Sequence, residues 1–84
     1  YNDTRDSGAK NYFTQMSELS KKAIDFDLKE REFQSFSLVI SEDKIPLAKE
    51  MIRKCRNNLS QLAHEGGDMV YQMNMFFFPL TKKH

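Results

Sequence analysis

The chain has no tryptophan, one cysteine, two prolines and three glycines among 84 residues. Each scarcity excludes something. A lone thiol, Cys55, cannot close an intramolecular disulfide, which fits a reducing, cytoplasmic compartment. Three glycines, Gly8 and the pair Gly66-Gly67, make no Gly-rich phosphate loop, and neither an HExxH nor a GxSxG pattern occurs. No apolar run reaches the roughly 18 residues of a transmembrane helix, and none has the shape of a signal-peptide core. The net charge of +1 supplies no strong field to select nucleic acid or membrane. The chain opens on Tyr1 rather than Met, which reads as a fragment or a processed product.

What is present is a closing apolar run, Met69-Val-Tyr-Gln-Met-Asn-Met-Phe-Phe-Phe-Pro-Leu80. Side chains in an extended segment alternate. Val70, Gln72, Asn74, Phe76 and Phe78 share one side; Met69, Tyr71, Met73, Met75 and Phe77 share the other. A strand this apolar needs cover on both faces. A chain of this length has few elements to supply it. The mismatch points to a partner surface.

Residues 1–9 have almost nothing to bury and read as a flexible lead-in to a single domain over 10–82. From Tyr12 onward the apolar positions 12, 13, 16, 19, 23 and 24 have helical spacing, predicting a helix over about 10–25. A dense charge cluster, Asp25 to Glu32, reads as a solvated connector anchored by Phe26 and Leu28. Residues 33–41 alternate in Phe, Ser, Val and Ile, which predicts a strand. Ser41, Glu42 and Asp43 offer capping oxygens, and Pro46 suits a first helical turn. The second helix is expected over about 45–65, ended by Gly66-Gly67. Its apolar stripe runs through Ala48, Met51, Ile52, Cys55, Leu59, Leu62 and Ala63, with Ile52 and Leu59 buried. Lys49, Arg53 and Arg56 lie on the outer side. The last strand is expected over 69–78, stopped by Pro79.

The expected fold is therefore α+β, a small α-β-α-β domain. Its two strands would run parallel, joined by a right-handed crossover through the second helix. Such a two-stranded sheet needs completion or cover by a dimer partner.

Few residues carry chemistry. Cys55 inside the apolar stripe reads as a small buried hydrophobe. His64, Glu65 and Asp68 make a poor metal set, since two glycines separate them and nothing orients the ring. The carboxylates at 25–32 interleave with Lys29 and Arg31, which does not raise a pKa for acid–base work. No catalytic, cofactor-binding or metal-ligating residue is assigned, and the expectation is a non-enzyme without cofactor. Residues 44–84 carry seven bases and three acids. Their Lys49/Arg53/Arg56 stripe lacks the interleaved aromatics of a nucleic-acid footprint and reads as an outer helix face. The candidate interface or ligand face is Ser35, Ser37, Val39, Gln72, Asn74, Phe76 and Phe78. It suits either a homodimer or a small ligand held by the four polar residues.

The motifs Tyr12-Phe-x-x-Met16-x-x-Leu19, Ala23-Ile24, Arg31-Glu-Phe-x-Ser35-x-Ser37-Leu38, Ile45-Pro-x-x-Lys49-x-x-Ile52-Arg53, Val70-Tyr-Gln-Met-Asn74 and Phe78-Pro-Leu-Thr81 cover about residues 10–82. Together they resemble an uncharacterised bacterial domain family, catalogued as a set of paralogues in Fibrobacter. The resemblance implies a domain that follows a helix-turn-helix part in longer proteins, and hence a piece of a transcriptional regulator. DNA contact would belong to that helix-turn-helix part. The resemblance supplies no catalytic or ligand residues.

Overall fold

The computed structural model describes residues 7–63 and 66–81. Two α-helices form: α1, Ser7–Ala23, and α2, Ile45–Ser60, the latter entered through a 3₁₀ turn at Glu42–Lys44. No strand forms among the described residues. The chain falls into two compact units, residues 1–36 and 37–84, each taken by itself below.

In the first unit, α1 starts ahead of its predicted boundary. Its half-buried positions are Tyr12, Phe13, Met16, Ser17, Ser20 and Ala23, one helical stripe continuing from Ala9. Ala9 is 0% exposed and is the buried hydrophobe of the described residues. The Tyr12 and Phe13 rings meet edge to face, 5.4 Å between centroids. Serine and threonine are weak helix formers because their hydroxyls compete for backbone partners. Here those hydroxyls turn back onto the helix. Thr14, Ser17 and Ser20 donate to the carbonyls of Lys10, Phe13 and Met16 at 2.9, 3.0 and 2.9 Å. The predicted lead-in lies outside the described residues up to position 6.

The connector after α1 is more ordered than a solvated charge cluster. Its first amides still reach back three residues, Phe26 N–H to the Ala23 carbonyl at 3.1 Å. Asp27 then closes a turn of its own. Its carboxylate accepts the Lys29 amide at 3.1 Å, and its carbonyl accepts the Glu30 amide at 2.9 Å. Arg31 straps the turn shut. Its Nε donates to the Phe26 carbonyl at 3.3 Å, and its guanidinium lies 4.8 Å from the centre of the Phe33 ring. An exposed cation–π contact of this kind contributes about 0.5–1 kcal/mol.

In the second unit, Ser41 is extended and its carbonyl accepts the Lys44 amide at 3.0 Å, which winds the 3₁₀ turn. Pro46 sits in the first turn of α2, where its missing N–H costs nothing. Glu42 and Asp43 place negative charge just before the positive end of the helix dipole. The expected side-chain cap is not made: neither Ser41 nor Lys44 caps with its side chain. The helix also ends earlier than Gly66 suggested. Past Ser60 the amides of Gln61, Leu62 and Ala63 bond three residues back, at 3.3, 3.0 and 3.1 Å, so the last turn tightens to 3₁₀ geometry. Gly66 does take the left-handed conformation, φ +85°, beyond the helix rather than at its cap.

The α+β expectation, with its α-β-α-β order, is overturned: the described chain is all-α. Period-two alternation records that a segment has two faces, not that it has found a ladder. A strand exists only through hydrogen bonds to another strand. Neither segment finds such a partner among the described residues. Both segments stay irregular, and Val39 and Val70 are 105% and 100% exposed.

The faces of α2 follow the sequence in direction more than in depth. Ile45, Ala48 and Ile52 are half-buried, and Lys49, Arg53 and Arg56 are exposed as expected. Leu59, expected inside, is 40% exposed, and Met51 and Leu62 are more so. Cys55 is also exposed, not the buried hydrophobe its stripe suggested. Ile52→Ala is therefore expected to cost about 1–2 kcal/mol, below the range for a fully buried isoleucine. Arg53→Ala should cost less than about 0.5 kcal/mol. Chemical denaturation of the two variants checks the assignment, and equal losses would contradict it.

Candidate functional site

The seven residues singled out from the sequence fall in both units. Ser35 lies in the first and is exposed. Ser37 and Val39 lie in the second, ahead of the 3₁₀ turn, and are exposed too. In the closing segment, the Gln72 side-chain Nε2 donates to the Asn74 side-chain Oδ1 at 3.0 Å. That bond between residues two apart is what side chains on one side of an extended backbone permit. Asn74 and Met75 are half-buried, while Phe76 and Phe78 remain 50% and 67% exposed. The structure thus joins Gln72 to Asn74 on one side of the segment. It forms no sheet face on which the seven could meet.

The sheet expected beneath the ligand face is absent among the described residues. A concavity does occur on α2, but it is shallow and open to solvent, lined by Met51, Lys54, Cys55, Asn58, Leu59 and Leu62. None of the seven lines it. Sequence reading placed most of its apolar residues in a buried stripe, and so missed them as surface. The signal was the width of that stripe, which exceeds what one neighbour covers. The charges beside the concavity are partly matched, Lys54 lying 3.5 Å from Glu50 in an exposed pair. The corresponding pair on α1 joins Lys21 to Glu18 at 3.2 Å. Exposed pairs of this kind contribute little to stability.

Among the described residues no group of three or more His, Cys, Asp or Glu is placed to hold a metal ion. His64 and Glu65 of the sketched metal set lie outside the described residues. No helix of the described chain is long and apolar enough to cross a membrane.

The second unit carries broad exposed apolar surface, as does the first, where Leu28 and Phe36 are 75% and 81% exposed. Leu38, Val39, Leu47, Met51, Leu62, Val70, Tyr71 and Phe78 are all largely exposed. Scattered apolar side chains are ordinary on a protein, but a small unit that leaves this many outside has a surface suited to a partner. The described residues form two small helical units with exposed apolar surface. The chain belongs to the family described as Domain of unknown function (DUF4423), whose model matches residues 1–80. No curated protein and no solved structure matches it.

Proposed function

We propose that the chain is a non-catalytic dimerisation and regulatory domain of a bacterial transcriptional regulator, acting in the cytoplasm. In such a protein a helix-turn-helix part would bind the operator, and this domain would hold two copies together. The regulator role, and kinship with the Fibrobacter paralogues, rest on the motif resemblance of the sequence. The observation that carries the interaction role is the exposed apolar surface of residues 37–81, Phe76 and Phe78 included. Dimeric DNA-binding proteins read paired half-sites, so a self-associating module suits the role.

Sedimentation of the 84-residue chain tests the reading. A dimer forming at micromolar concentration is expected. A chain that stays monomeric up to about 100 μM would remove the self-association on which the proposal rests.

A further inference from the structure

We draw no further inference here: the strongest candidate, the exposed apolar side of α2 around Met51, Cys55 and Leu59, carries none because nothing in the structure shows what covers it.

Discussion

Replacing Ala9 by glutamate is expected to unfold much of α1. Ala9 has no exposed surface, and enlarging a fully buried side chain is generally destabilising. Glutamate adds volume and a charge that loses water without gaining a partner. A loss of about 2–4 kcal/mol is expected, enough to exhaust a small unit's margin. Part of the α1 contribution to the circular dichroism should vanish at room temperature. Ala9→Ser, nearly isosteric, should retain it. If glutamate at this position melts like the parent, the stripe from Ala9 to Ala23 does not organise the first unit.

The second large effect concerns association. Phe76→Lys with Phe78→Lys places two cations on one side of the closing segment, where both rings are half or more exposed. Neither ring sits in a core, so the monomer should lose little stability. A surface that must shed water to meet a partner would lose at least about 1.4 kcal/mol, a tenfold weaker dimer. Analytical ultracentrifugation of parent and variant reads this directly. Unchanged association would confine the contact to other residues. Both positions lie outside α2, so the variant tests the closing segment apart from the helix.

The helices were legible because their information is local. Period 3.6 from Tyr12 onward and Pro46 at a first turn place α1 and α2 where they occur, with errors only at the ends. Those errors also have local causes. Ser7–Ala9 look too polar and small for a helix, yet Ala9 is where burial is greatest. Past Ser60 the turn tightens before any glycine is reached. The strands were misread because pairing is not local: the alternation in 33–41 and 69–78 is real, but no neighbour answers it among the described residues. Arg31 was hidden for another reason. In sequence it is one charge among many, and only the chain's return past Phe26 gives it a carbonyl and a ring to hold. Within the candidate face, Gln72 and Asn74 are joined by a side-chain hydrogen bond.

The openness of the closing segment bears on how long a copy survives. Backbone without a ladder offers proteases an extended substrate, and cleavage follows the population of accessible chain. A partner that covers residues 69–80 would remove that substrate by mass action. Abundance would then protect itself: scarce copies would be cleared, and plentiful ones would shield each other. Dosage, as much as affinity, would set how much of this protein persists.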